Sequence, residues 1–324
     1  MAPGLKKILD RKPYISDSSV QSARHLIQMR TTLICALLLT LSLPATAQKG
    51  LKIYISADME GLTGVVTGEQ LSPDGFEYGR FRQIMTDEVN AVISAAREAG
   101  ATEFLVSDSH GNGQNLLIDQ FPDDVQIVRS WPRELGMMHG IDASFDGVIF
   151  VGYHSSTSNS TGVRAHTKSS ANLTDLQLNG KHVSEGAWNA AIAGHFDVPV
   201  IMVTGDDAAV AEVTASIGNI EGAIVKMNHG FHSATTLTPA AGQKLIKEKT
   251  RAAINRIKEF KPLKLTGAPV VQFSLKNYQP AELLAYLKIV RRVDSHSIEY
   301  VASDMIDASK FMQFVLSYSV SITP

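Results

Sequence analysis

Hydrophobic and polar positions first fall into a regular pattern at Leu51 to Val65, LKIYISADMEGLTGV. Ile53 and Ile55 alternate with Lys52 and Tyr54, β-branched and aromatic types that suit a pleated surface, which predicts a strand. From Phe76 to Ala99 the period changes. Phe81, Ile84, Met85, Val89, Val92 and Ile93 recur at helical spacing, and Gly100 closes the helix. Thr102 to Val106 reads as a second strand, and Asp146 to Tyr153, nearly all apolar, as a third. Asp175 to Val183 predicts a hairpin turning at Asn179-Gly180. A helix then runs from Ser184 through Ala193, capped by Gly194, followed by a buried-type strand at Pro199 to Thr204. A helix of alanines and valines, a short strand at Gly222 to Met227 and an amphipathic helix at Thr238 to Phe260, starting on Pro239, come next. After Lys261-Pro262, strands at Pro269 to Leu275 and Ser297 to Ala302 alternate with helices at Gln279 to Leu287 and Met305 to Tyr318. Repeated strand–helix–strand units predict an α/β fold with a mostly parallel sheet flanked by helices, residues 48–264. A smaller C-terminal α+β module, 265–324, is expected to complete it.

The first residues have a different pattern. Met29-Arg30 precedes the apolar block Leu33 to Leu43, too short to span a bilayer, and then the small residues Pro44-Ala45-Thr46-Ala47. This is the pattern of a secretory signal peptide with cleavage after Ala47, so residues 1–47 are expected to be a leader and the product to be exported, periplasmic or secreted. An uncleaved anchor helix is the other reading, and Met29 is a candidate start. The single cysteine, Cys35, lies inside the apolar block, so the mature chain has neither a disulfide frame nor a thiolate metal site. Of 30 basic and 32 acidic residues, the leader holds six and two, leaving a net charge of about −6. A mildly acidic chain with no basic stripe excludes nucleic acid as a partner, and no second hydrophobic span implies no membrane after cleavage.

Candidate chemistry gathers at strand ends. Asp58 and Glu60 follow the first strand two residues apart, a spacing that on an extended backbone sends both carboxylates to one side. Two close anions call for a cation between them, unless Asp58 caps a helix and Glu60 is solvated. His110 follows the second strand and His154 the third. In parallel sheets ligands sit beyond these carboxyl ends. Each histidine on its own could be an exposed loop residue. Glu185, in the first turn of its helix, reads equally as a ligand or as capping chemistry. His166 follows the flexible stretch Ser155 to Gly162 and has a loop role as its plainer reading. His182 and His195 are assigned to surface or packing, and Asp206 and Asp207 to helix capping. Asp58, Glu60, His110, His154 and Glu185 exceed what one tetrahedral zinc needs and suit two metals, with Asp58 best placed to bridge. The chain has no G-x-S-x-G elbow, H-E-x-x-H helix or phosphate-cradling loop. Metal-assisted hydrolysis is the chemistry that remains.

Ser56-Ala57-Asp58-Met59-Glu60-Gly61, Ser107-Asp108-Ser109-His110, Gly152-Tyr153-His154, the Gly162 to His166 stretch and Glu185-Gly186-Ala187-Trp188-Asn189-Ala190 closely resemble successive motifs of the DppA-type D-aminopeptidases. Val198 to Val203 and Gly205-Asp206-Asp207 fit as well. The resemblance implies a zinc metallopeptidase that removes D-amino acids from the N-termini of short peptides. It implies two zinc ions on Asp58, Glu60, His110, His154 and Glu185, a bridging hydroxide as nucleophile, and a ring-like homo-oligomer. It makes His166 the catalytic residue, which we read as a general base or oxyanion donor. His166 is flanked by Ala165 and Thr167 where the family has serines, and the loop before it is one residue longer. Two rivals stand beside this reading: a dizinc amidase or phosphoesterase of other specificity, and a non-catalytic metal- or peptide-binding protein.

Overall fold

Leu51–Ala57 forms the strand β1, but its alternation does not separate a wet face from a dry one: Tyr54 is as fully buried as Ile53 and Ile55. A strand inside a parallel sheet is covered on both faces. The Tyr54 hydroxyl meets that demand by donating to the carbonyls of Met137 and His139 at 3.1 and 2.9 Å. The computed structural model describes residues 50–319 and a few helical positions between 17 and 28. Cys35, the apolar block and the Ala47 junction lie outside the described residues. Gly50 onward forms one compact unit. No helix among the described residues is long and apolar enough to cross a membrane.

This unit contains α1 (Tyr78–Glu98), β2 (Ala101–Asp108), β3 (Gln126–Val128), β4 (Gly147–Tyr153), β5 (Leu173–Leu178), β6 (Lys181–His182), α2 (Glu185–His195) and β7 (Val200–Asp206). There follow α3 (Asp207–Ile217), β8 (Glu221–Gly230), β9 (Ser233–Thr236), α4 (Pro239–Asn255), β10 (Val270–Leu275), α5 (Tyr278–Leu284), β11 (Val290–Arg292), β12 (Ser297–Val301) and α6 (Met305–Ser317). The larger sheet has the order β3-β2-β1-β4-β7-β8-β9 and is parallel except for β9. Chain connections leave β1 and β4 in opposite directions across the sheet, so a crevice opens between their carboxyl ends. The predicted stripe of α1, from Phe81 to Ile93, is buried against this core.

The expected smaller module needs correction at its boundary. The second sheet, β11-β12-β10-β5-β6, is antiparallel and takes its hairpin β5–β6 from the middle of the chain, with Leu176 opposite Phe273. Residues 265–324 therefore form a module only together with residues 173–182. β3, β9 and β11 lie outside the predicted strands, because runs of three and four residues carry no readable period. Gly194 also has a different role. α2 runs on through His195, and a Cβ at Gly194 would lie 1.8 Å from the Leu263 carbonyl oxygen, so the glycine serves close approach and not capping.

Lys226 of β8 is only 2 % exposed and reaches the segment that follows β1. Its ammonium donates to the carbonyls of Glu60, Leu62 and Val65 at 2.5, 3.0 and 2.7 Å. The same segment gives its Thr63 N–H to buried Glu88, whose pKa burial raises to about 7. Burial likewise lowers Lys226 to about 8. Lys226→Met should cost about 2–4 kcal/mol, because three buried carbonyls lose a charged donor at once. Urea denaturation of the chelator-treated protein measures this, and an unchanged midpoint would show that the segment holds itself.

Candidate metal centre

β1 ends at Ala57, and residues 58–61 form a turn, not the extended run that the two-residue spacing suggested. The Met59 N–H closes that turn on Asp58 Oδ1 at 2.8 Å. The turn docks on the end of β4 through Asp58 N–H to Val151 and Gly61 N–H to Gly152. Gly152 has φ +70°, and a Cβ there would meet the Asp58 carbonyl oxygen at 2.2 Å. Only a glycine lets the carboxylate turn approach the strand that carries His154.

His110 leaves β2 on a loop braced by Asp108. That carboxylate accepts the backbone N–H groups of Asn115 and Leu116 at 2.6 and 2.8 Å, and the Asn115 amide in turn donates to the His110 carbonyl at 2.7 Å. Ser184 caps α2 through the Ala187 N–H, which leaves Glu185 free of capping work. Asp206 caps α3 through the Ala209 N–H and also accepts the Val163 N–H at 2.6 Å, tying down the loop that leads to His166. His182 and His195 are exposed, as expected.

These elements bring the six predicted residues together. His110 Nδ1 lies 3.2 Å from Asp58 Oδ1 and 2.9 Å from Glu60 Oε2. His154 Nε2 lies 3.4 Å from Asp58 Oδ2 and 3.6 Å from Glu185 Oε1. His166 Nε2 is 3.9 Å from Glu185 Oε1, and its ring stacks on His154 with centroids 4.0 Å apart. Asp58 thus has one oxygen toward each side of the cluster. All but His166 are buried.

Each imidazole is held from outside. A carbonyl can only accept, so the ring nitrogen facing it carries the proton. His110 Nε2 donates to Leu71 at 2.8 Å, His154 Nδ1 to Ser155 at 3.0 Å and His166 Nδ1 to Arg164 at 2.9 Å. All three therefore turn their remaining nitrogen toward the carboxylates. His154 Nε2 is buried with no hydrogen-bond partner. Lone pairs facing anions in a dry site need a cation between them, and outer-nitrogen contacts of this kind orient metal-ligating histidines. The donor atoms of Asp58, Glu60 and His154 lie within 4.8 Å of one another, and so do those of His154, His166 and Glu185. Nitrogen and carboxylate oxygen donors at this density fit zinc.

With no metal bound, protons do this work. Burial opposes charge on His110, but Glu60 and Asp58 overcome it and hold its pKa well above the usual value. His154, against the same burial, is raised to about 10 by Glu185 and Asp58. Burial and the neighbouring Glu60 push Asp58 up. Glu60 is held well below its usual value by His110, although burial works the other way. Glu185 is also lowered against burial, chiefly by Lys168.

Several supporting residues carried no signal in the sequence. Lys168, at φ +61°, gives its N–H to Glu185 Oε1 at 2.7 Å. Beneath the cluster, Asn189 donates to the Tyr153 hydroxyl at 2.8 Å, and Tyr153 donates to Ser56 at 2.7 Å. A serine and a tyrosine at strand ends and an asparagine inside α2 look like ordinary polar residues until the fold joins them.

A histidine with raised pKa contributes stability that is complete below its unfolded value of about 6.5 and is lost as pH rises toward the folded value. The metal-free protein should therefore lose melting temperature from about pH 6.5 to 8, before Lys226 (about 8) begins to act in the opposite sense. Over the same window the increment conferred by zinc should grow, because metal competes with those protons. Thermal denaturation with chelator and with zinc checks both slopes, and a flat chelator profile would mean the imidazoles hold no extra protons.

Comparison with known proteins agrees with this geometry. The family model described as D-aminopeptidase matches residues 51–314. A D-aminopeptidase of Bacillus subtilis (strain 168) is 33% identical over 265 residues, covering 81% of this chain and 95% of that protein. Among solved structures, the Zn-dependent D-aminopeptidase DppA from Bacillus subtilis, described as a self-compartmentalizing protease, is similar with a TM-score of 0.79 at 32% identity. That match covers 83% of this chain and all of the other. The chain belongs to the D-aminopeptidase family of peptidases.

Proposed function

We propose that this peptidase is a zinc-dependent aminopeptidase that hydrolyses the N-terminal residue of short peptides containing D-amino acids. Two zinc ions would be held by Asp58, Glu60, His110, His154 and Glu185, with Asp58 between them. The observation that carries this reading is the set of imidazole nitrogens aimed inward at carboxylates, above all the partnerless His154 Nε2. Zinc bound there supplies Lewis acidity, polarising the scissile carbonyl and making water a competent nucleophile near neutral pH.

The chain's own part is orientation and proton handling. His166 is the most open of the three imidazoles, with 19 % of its side chain exposed, so substrate can reach it. Its Nδ1–H is fixed on the Arg164 carbonyl, which leaves Nε2 free to take a proton from the attacking water and return it to the departing amine. A second reading of His166 has its own support: its Nε2 converges with His154 and Glu185 closely enough to serve as a metal ligand. The two roles differ in what removal of the ring does to zinc content.

We also propose export of the chain lacking residues 1–47, and assembly into a ring-like homo-oligomer. The signal-peptide pattern supports the first. The self-compartmentalizing relative supports the second. Fractionation with N-terminal sequencing and sedimentation of the mature protein test them.

His166→Ala should lower turnover of D-Ala-D-Ala by about 10²–10⁴-fold, the range of a lost general base. Zinc content should stay unchanged, whereas loss of zinc would favour the ligand reading. Assayed side by side, D-Ala-D-Ala should be cleaved, and L-Ala-L-Ala and p-nitrophenyl phosphate much more slowly. Preferred cleavage of the phosphate ester would replace the peptidase reading with that of a phosphoesterase.

A further inference from the structure

The two sides of the cluster differ in fixed charge. On one side stand Asp58 and Glu60, whose carboxylates pair only with His110 and His154 among the described residues. Lys226 touches Glu60 at its backbone carbonyl alone, and its counter-charges are Asp206, then Glu88, with the Glu60 carboxylate last. On the other side stands Glu185, and here the fold places a lysine. The Lys168 ammonium lies 3.8 Å from Glu185 Oε2, with only 9 % of the side chain exposed. Its other partners are uncharged, Met137 Sδ at 2.9 Å and Asn189 Oδ1 at 3.4 Å. Glu185 and Asn189 lie one turn apart on α2, so a single helix face fixes the position of the charge. Lys168 N–H and Nζ thus address both oxygens of the same carboxylate.

We infer that Lys168 divides the centre into two unequal metal positions, a tight one at Asp58, Glu60 and His110 and a loose one at Glu185. The inference rests on the two-metal reading above. A histidine ring nitrogen can serve as a metal ligand, whereas the lysine ammonium beside Glu185 cannot. It remains a neighbouring positive charge and repels a dication arriving at that carboxylate, in a site where little water screens the repulsion. The stem of Lys168 packs in the protein interior, so the charge cannot swing away into solvent. Lys168 therefore acts through Glu185 and not on substrate. The enzyme would hold one zinc ion firmly and take up the second only as the free metal concentration rises.

Zinc titration of the chelator-stripped full chain by calorimetry, with a chromophoric chelator as competitor, tests this without reference to activity. The wild type should bind two ions in steps separated by about tenfold or more in Kd, the scale of one unscreened charge. Lys168→Met should tighten the weaker step by about tenfold or more and leave the stronger within about threefold. Lys168→Arg keeps the charge and should keep the separation. Glu185→Gln should abolish the weaker step and spare the stronger. Lys168→Gln, which also removes the charge, is read in the same way if Lys168→Met does not fold. Two steps that Lys168→Met leaves unmoved, or loss of the stronger step in Glu185→Gln, would overturn the inference while the two-metal reading stands. A single zinc ion bound by the wild type and by Lys168→Met alike would sink the two-metal reading itself, and this inference with it.

Discussion

Three carboxylates and two imidazoles share a buried volume, and the imidazoles turn their inner nitrogens to the carboxylates. Such an arrangement is self-repelling unless positive charge enters it. Much of the surrounding structure makes sense as the means of holding it in place. Backbone carbonyls at Leu71, Ser155 and Arg164 take the outer ring protons. Lys226 anchors the turn behind Glu60, and Asp108 braces the loop behind His110. Each support comes from a different element, so the donors keep their directions even when nothing lies between them.

Holding ligands apart from one another has an energetic side. The carboxylates raise the pKa of both His110 and His154, so a metal ion entering the cluster would compete with protons for the same atoms. Fold stability and metal affinity are therefore linked through the same side chains. Preorganisation from outside the cluster means that little rearrangement accompanies the exchange.

Much of the site was legible because a parallel sheet delivers its strand ends to one edge. Asp58, His110 and His154 each follow an apolar run, and the topology then leaves them little freedom about where to go. The turn at 58–61 was less legible. The two-residue spacing suggested an extended backbone, whereas Gly61 and Gly152 permit a close docking that brings the same carboxylates together by another route. Lys168 could not have been found, because a lysine in a polar loop acquires meaning only from the helix face it meets. The family motifs carried the assignment of His166, and the structure adds the hydrogen bond that sets its tautomer. The alternation within β1 carries no information on exposure, since the neighbours that bury Tyr54 lie far along the chain.

The shared second sheet has a bearing on how the chain comes together. The turn residue Asn179 bonds to Val270, 91 positions later, and β5 lies against β10 along its length. While the polypeptide is emerging, β5 has the short β6 on one edge but nothing on the other until that distant partner appears. Pairings that close so long a loop form late and leave an unpaired strand edge in the interval.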